Sequence, residues 1–377
     1  MNLSYWEQKE WLENIDFAIV GSGIVGLSTA LFLKQRLPES NIILLEKGIL
    51  PQGASTKNAG FACFGSLSEI LQDLKTHSET EVLELIQSRV QGLQLLRQFL
   101  GDASIDFRAY GGYELFLEKD SAVYENCLEK MSEINTLLFS IFKENIYHLV
   151  ADRFQFSKVK KKYIYNKFEG QLDTGKMMHA LTKKVQNIGI KILNNVTVES
   201  YEETNHSVQI KTDALEFNAR KLILTTNGFT NTLLPTDTKP ARAQVLITKP
   251  ISNLEIKGAF HLDCGYYYFR NIDQRILLGG ARNLDIVGET TTSFATTAKI
   301  QNELEILLSQ VILPGKDFEI DQRWSGIMGV GSQKKPLIFQ VSDHVFAGVR
   351  MGGMGIAIGS SVGKQLSELI VQKKTVF

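Results

Sequence analysis

The sequence predicts an α/β protein of two domains, one a Rossmann-like dinucleotide-binding domain and the other an α+β domain built on an antiparallel sheet. Three observations carry the prediction. The stretch "DFAIVGSGIVGLSTALFLKQ" sets a short apolar run against three glycines and then a helical pattern. The segments "ARAQVLITKP", "GYYYFRNIDQRILLGGARN" and "DFEIDQRWSGIMG" read as strands joined by short turns. The chain has 377 residues, too many for one ordinary domain and suited to two.

Phe17 to Val20 form a continuous apolar run, as in a strand buried on both faces of a parallel sheet. Gly21, Gly23 and Gly26 follow as GxGxxG, opening a helix whose apolar stripe is Leu27, Ala30, Leu31 and Leu33. Strand, glycine turn and helix N-terminus together make an anion site, because free backbone N–H groups and the positive dipole end converge there. Gly21 permits the turn, Gly23 lets a pyrophosphate approach past Ile24 and Val25, and Gly26 lets helix and strand pack closely. The next strand, "NIILLEKG", ends in Glu46, followed by Lys47. A carboxylate there can accept hydrogen bonds from both ribose hydroxyls of an adenosine and disfavours a 2′-phosphate.

Further on, "GASTKNAGFACFGSLSE" is rich in small and polar residues. Ser55, Thr56, Asn58, Ala59 and Gly60 suit a loop laid along a phosphate and a sugar-like chain, with Lys57 offering a charge. "GGYELFLEKD" reads as a strand and residues 121–146 have helical spacing. "EGQLDTGKMMHALTKKVQNIGIKILNNVTVESYE" reads as a helix capped by Asp173 and then two strands, the turn between them carrying Val196. "KLILTTNGF" is a strand ending in Asn227-Gly228. Asn271 to Gln274 form a hairpin turn. "HVFAGVRMGGMGIAIGSSVGKQLSELI" is a strand, a glycine loop and a long helix. "SYWEQKEWL" precedes the first strand and reads as a helix packing Trp6 and Trp11 on the domain surface.

In combination these segments resemble the D-amino-acid oxidase family of FAD-dependent oxidoreductases, which includes glycine oxidase, sarcosine oxidase and gamma-glutamylputrescine oxidase. The resemblance spans almost the whole chain. It rests on GxGxxG with Glu46, on the G-A-S-x-x-N-x-G pattern from Gly53 to Gly60, and on the C-terminal glycine motif. Thr226-Asn227-Gly228 departs mildly from the family's Ala-x-Gly. The resemblance implies an FAD-binding domain in three pieces, at 15–85, 150–235 and 330–377, with the substrate domain at 86–149 and 236–329. It implies adenine contact through the backbone of Val196. It implies a C-terminal helix whose N-terminus faces the flavin, with Gly353, Met354, Gly355 and Ile356 as contacts.

FAD chemistry implies hydride removal from a carbon bearing an amine or hydroxyl. The expected substrate is a small amine or amino acid; a 2-hydroxy acid is the alternative, and a flavin-binding subunit without turnover is another. O₂ or a quinone is the expected acceptor. Arg350, on the loop before the C-terminal glycines, is the first candidate for a charged residue near the ring. Arg270 and Arg282 are candidate carboxylate clamps, since a guanidinium fork matches a carboxylate; the alternative is surface arginine. Tyr266 and Tyr268 share one face by period two, as do Tyr267 and Phe269; one pair roofs the site or both serve sheet packing.

Two family anchors are missing. Met328 stands where glycine oxidase-like proteins have an arginine, and Ala357 where sarcosine oxidase-like proteins have a lysine. FAD is expected to be non-covalent: no cysteine follows Cys264, no histidine lies between Met1 and Lys75, and Cys63 is off the usual linkage position.

Composition narrows the rest. With 41 basic and 41 acidic residues, the chain has no field to attract nucleic acid. The three cysteines form no CxxC pair and the six histidines show no ligand spacing, so no metal site is expected. The N-terminus is too charged for a signal peptide, and no stretch approaches the ~18 apolar residues of a membrane helix. A cytoplasmic protein is the expectation.

Overall fold

The computed structural model describes residues 2–372. Its first sheet is doubly wound, in the order 191–194, 42–46, 15–20, 216–224 and 345–349, all parallel, with Leu337–Gln340 antiparallel at the edge. The first half of Glu216–Leu224 pairs with Val208–Thr212, which in turn pairs with Val198–Glu203. Alternation assigns the two faces of the sheet. Phe17 and Ile19 pack under the helices Ile24–Arg36 and Gly355–Gln372, whereas Ala18 and Val20 pack against Val198, Val208 and Ile210 on the other side. The carboxyl ends of the parallel strands therefore converge where Ile24–Arg36 and Gly355–Gln372 begin, the position at which ligands bind in open α/β sheets.

The second sheet runs 320–330, 239–248, 275–280, 267–272, 259–262, 112–114, 162–166 and 147–151. It is antiparallel except where Ala259–Leu262 lies parallel to Gly112–Glu114. Residues 150–166, grouped with the cofactor domain in the sequence reading, thus contribute strands to this second sheet. Local patterning gives a strand but not its neighbour, and here Lys162–Asn166 finds Gly112–Glu114. The hairpin at 272–275 is a two-residue turn, with Asp273 at φ 47° and Gln274 at φ 59°.

Register fixes what this sheet presents. Phe260 pairs with Phe269, and their rings stack 4.5 Å apart in a core closed by Ile300 and Leu304 of helix Ala298–Leu307. The next pair, His261 and Tyr268, faces the opposite way, toward the first domain. The N-terminal segment does form a helical turn, Tyr5–Glu7, capped by Ser4. Trp6 and Trp11 are nevertheless 69% and 44% exposed, so they do not pack on the domain as expected. A residue pattern of one or two turns carries no information about what lies beneath it.

Candidate active site

Between the carboxyl ends of the first sheet and the open face of the second runs one cleft of about 970 Å³. That volume is at the upper end for a ligand site. One end is walled by Val196 to Glu199, Leu45, Glu46 and Lys47; the middle by Gly21, Gly23, Ile24, Val25, Ser55, Asn58 and Ala59; the far end by Tyr268, His261, Met328 and the Gly353–Ile356 turn.

The glycine corner folds as its residues dictate. A side chain on Gly26 would collide with the carbonyl oxygen of Gly21 and come within 2.8 Å of Thr225 Oγ1. The role of Gly26 is therefore close packing of helix on strand. A Cβ on Gly23 would lie 2.8 Å from Ser55 Oγ, and that oxygen accepts the Ile24 N–H at 3.0 Å. Ser55 thus occupies one of the free donors at the helix N-terminus and joins the GASTKN loop to the first glycine motif.

Glu46 is buried, and four donors hold its carboxylate: Ser22 N at 3.0 Å, Ser22 Oγ at 2.9 Å, Gly48 N at 3.1 Å and Gln52 N at 3.2 Å. A ribose hydroxyl reaching Glu46 would replace one of these rather than meet an idle oxygen. The Val196 N–H donates to the Glu46 carbonyl at 2.9 Å, so that backbone donor is already engaged. Asn227 takes a left-handed conformation, φ 46°, and its Oδ1 accepts the Met351 N–H at 3.1 Å. The departure Thr-Asn-Gly therefore ties the middle strand to the C-terminal glycine loop.

Not every residue singled out in the sequence reaches the cleft. Thr56 donates to the Pro51 carbonyl at 2.5 Å, and Gly228 packs behind the Met328 backbone. Gly60 closes against Arg270 and the Leu172 carbonyl. Arg270 itself is spent on backbone: its Nε donates to the Ala59 carbonyl and its Nη2 to the Leu172 carbonyl at 3.0 Å. Burial pulls the Arg270 guanidinium down to about 10. Arg350, the first candidate for a charge near the ring, turns away from the cleft. Its Nε and Nη2 donate to the Lys335 carbonyl at 3.0 and 2.8 Å, and Nη1 meets Asp237 at 2.8 Å. Tyr268 does line the cleft, its ring edge-on to Phe61 at 5.5 Å. Desolvation pushes its phenol up to about 12.

The structure also brings to the site His261 and Glu69, which the sequence did not single out, and Cys63, which the sequence raised only as a flavin linkage point. His261 Nε2 lies 2.9 Å from Glu169 Oε2, with both side chains buried. Burial alone would depress the imidazole. The Glu169 carboxylate, aided by the charges of Glu69 and Glu114, outweighs that and pushes it up to about 9. Cys63 lies in the cleft wall with Sγ 3.8 Å from Met354 Sδ. Burial, then the nearby Glu169 and Glu69, raises its thiol well above the ordinary range. Glu69 also borders the cleft and caps the helix Leu67–Asp73 through Ser66. That capping box, Ser-x-x-Glu, was readable in the sequence; the pairing of His261 with a glutamate 92 residues away was not.

The cradle therefore suits an FAD molecule: a bare glycine corner at a helix N-terminus, an acid at the end of the second strand, and a second helix N-terminus at Gly355 all open on one cleft. Comparison with known proteins agrees. The family described as DAO, FAD dependent oxidoreductase, matches residues 16–369. The chain belongs to this family. As a DAO-family member it is an FAD-dependent oxidoreductase. It is 21% identical to the probable oxidoreductase OrdL of Haemophilus influenzae, over 96% of this chain and 84% of that protein. Its fold is similar to L-proline dehydrogenase from P. horikoshii, with TM-score 0.76, 17% identity and coverage of 97% and 95% of the two chains. It is equally similar to glycine oxidase from Geobacillus kaustophilus, with TM-score 0.76, 18% identity and 96% of both chains covered.

Among the described residues no helix is long and apolar enough to cross a membrane, and no group of three or more acidic, histidine or cysteine side chains is placed to hold a metal.

Proposed function

We propose that the protein oxidises a small amine or amino acid by removing a hydride from the carbon of a C–N bond, with FAD held without a covalent link. The observation that carries this reading is the single cleft joining the glycine cradle to the Tyr268–His261 face of the second sheet. Bound FAD supplies the hydride acceptor. The chain's own residues hold it, orient the donor and keep water away. Gly21, Gly23, Ile24 and Val25 would take the diphosphate, Glu46 and Val196 the adenosine, and Gly353 to Ile356 the ring.

Tyr268, His261 and Cys63 are all held in their protonated forms near neutral pH, so none of the three is a base there. With these three excluded as bases, a substrate that enters as its neutral amine should show a rate that rises with pH toward the amine's own pKa. A thiol raised in this way is also a poor nucleophile, which supports non-covalent FAD. Three free thiols suit a reducing compartment, and we assign the protein to the cytoplasm.

The test is anaerobic addition of amines, amino acids and 2-hydroxy acids to the purified yellow protein, followed by flavin absorbance. Bleaching by amines or amino acids supports the reading. Bleaching by hydroxy acids alone replaces it with the hydroxy-acid alternative, and no bleaching at all favours a subunit without turnover. Peroxide formed under air separates O₂ from a quinone as acceptor.

A further inference from the structure

The described arginines in and around the cleft divide sharply. Arg270 and Arg350 are bound to backbone carbonyls, with Asp237 also on Arg350. Arg242 is locked to Glu289 in a buried bidentate pair, and Arg323 reaches Gln301 and Glu305. Arg282 differs from all of these. It lines the cleft, where it is the one arginine among the described lining residues. Its Nε is buried and has no hydrogen-bond partner.

The acids beside Arg282 do not neutralise it. Asp263 Oδ2 accepts from Asn283 Nδ2 at 3.0 Å, and Asp285 Oδ1 accepts the Gly288 N–H at 3.1 Å. Neither forms an ion pair with Arg282 among the described residues. The backbone under the residue is fixed: the Ala281 N–H donates to the Tyr266 carbonyl at 3.0 Å, and Ala281 sits at φ 61° where strand Arg275–Gly280 ends. Tyr266, Met328 and Phe294 line the same cleft. A buried guanidinium Nε with no acceptor is an incomplete site, because leaving such a group unpaired is costly. A planar two-oxygen anion completes it bidentately.

We propose that Arg282 holds the carboxylate of the substrate, so that the substrates are amino or imino acids rather than simple amines. The inference rests on the proposed oxidation at a C–N bond, and it explains how Met328 and Ala357 are tolerated where relatives would carry cationic anchors. The charge would sit at the end of the 275–280 strand, two strands from Met328 in the same sheet, rather than at Met328 or on the C-terminal helix at Ala357.

The test separates this claim from the proposed reaction, because it reads binding without turnover. Wild-type, Arg282→Met and Arg282→Lys holoproteins, matched for FAD content and melting temperature, are titrated with propionate and benzoate and with their neutral amides. The perturbation of the flavin spectrum is followed. The carboxylates should bind Arg282→Met at least about tenfold more weakly, from the loss of a charge-assisted pair. Arg282→Lys should fall between, and the amides should bind all three proteins alike. With an amino acid that bleaches the flavin, KM should rise far more than kcat falls. Equal carboxylate affinity in wild type and Arg282→Met, or no preference of the wild type for carboxylate over amide, overturns the proposal. Carboxylate binding lost in Arg282→Met, without any substrate reducing the flavin, would sustain Arg282 and sink the oxidation instead.

Discussion

The imidazole of His261, in the cleft wall, meets the carboxylate of Glu169 at 2.9 Å, and both side chains are buried. The pair links the second sheet to the segment that crosses beneath it, since Gly112 packs directly on Glu169. His261 is pushed up to about 9, above the ordinary value of 6.5. A histidine raised on folding contributes stability that is fully present below pH ~6.5 and is lost as the pH rises through ~9. The shift corresponds to on the order of 3 kcal/mol. Glu169→Gln should abolish this dependence and destabilise the protein by roughly 3 kcal/mol at pH 6. Urea unfolding at pH 6 and pH 9.5 measures both effects; an unchanged pH slope in the variant would show that the pair is not ionised.

Glu114 is also raised on folding, and its contribution runs in the same pH sense, but here it is the neutral form that the fold favours. Its carboxyl is buried beneath the helix Leu67–Asp73, and desolvation raises it to about 7 despite hydrogen bonds from Ser68 and Ser66. An acid whose pKa is raised by folding favours the folded state while protonated. Its contribution is present below the unfolded value near 4.5 and is lost as the pH rises toward 7. Glu114→Gln keeps an acceptor and removes the ionisation. Its melting temperature relative to wild type should therefore climb between pH 5 and pH 8. A constant difference across that range would exclude ionisation of Glu114 as the cause.

What the sequence disclosed and what it withheld follow a physical division. The corner at Gly21 to Gly26 was legible because strand, turn and helix are adjacent in the chain, and Glu46 because its strand lies directly beside the first. Side-chain direction was not legible. Arg270 shares a face with Tyr268 by period two, yet its guanidinium dips under Ala59. Arg350 sits beside the C-terminal glycines and turns outward to Asp237 and the Lys335 carbonyl. Each choice is made by acceptors from distant segments. His261 carried no local signal, because its partner comes from another part of the chain.

Arg350 therefore has a structural role that can be separated from ligand binding. Removing its guanidinium leaves the Lys335 carbonyl without two donors and frees the loop that carries Gly331 to Lys335. Arg350→Met should cost about 2–3 kcal/mol in stability. Carboxylate affinity measured by flavin perturbation should stay within about twofold of wild type in protein that retains FAD. A large affinity loss at full FAD occupancy would return Arg350 to the site.

The glycine corner makes the strictest demand. A methyl group on Gly26 meets backbone on its first side, the Gly21 carbonyl, and backbone cannot swing aside as a side chain can. The methyl group on Gly23 meets Ser55 Oγ at 2.8 Å, and a serine rotamer change relieves that contact. The change removes the acceptor of the Ile24 N–H and puts a methyl where the diphosphate would approach. Gly26→Ala should therefore damage folding itself, lowering melting temperature and soluble yield even without FAD. Gly23→Ala should fold, with the apoprotein melting within a few degrees of wild type, but bind FAD at least about tenfold more weakly. Thermal melts of the two apoproteins, with FAD titration by fluorescence quenching, distinguish a packing glycine from a binding one. Equal losses in both variants, or full FAD affinity in Gly23→Ala, would contradict the assignment of the diphosphate to this corner.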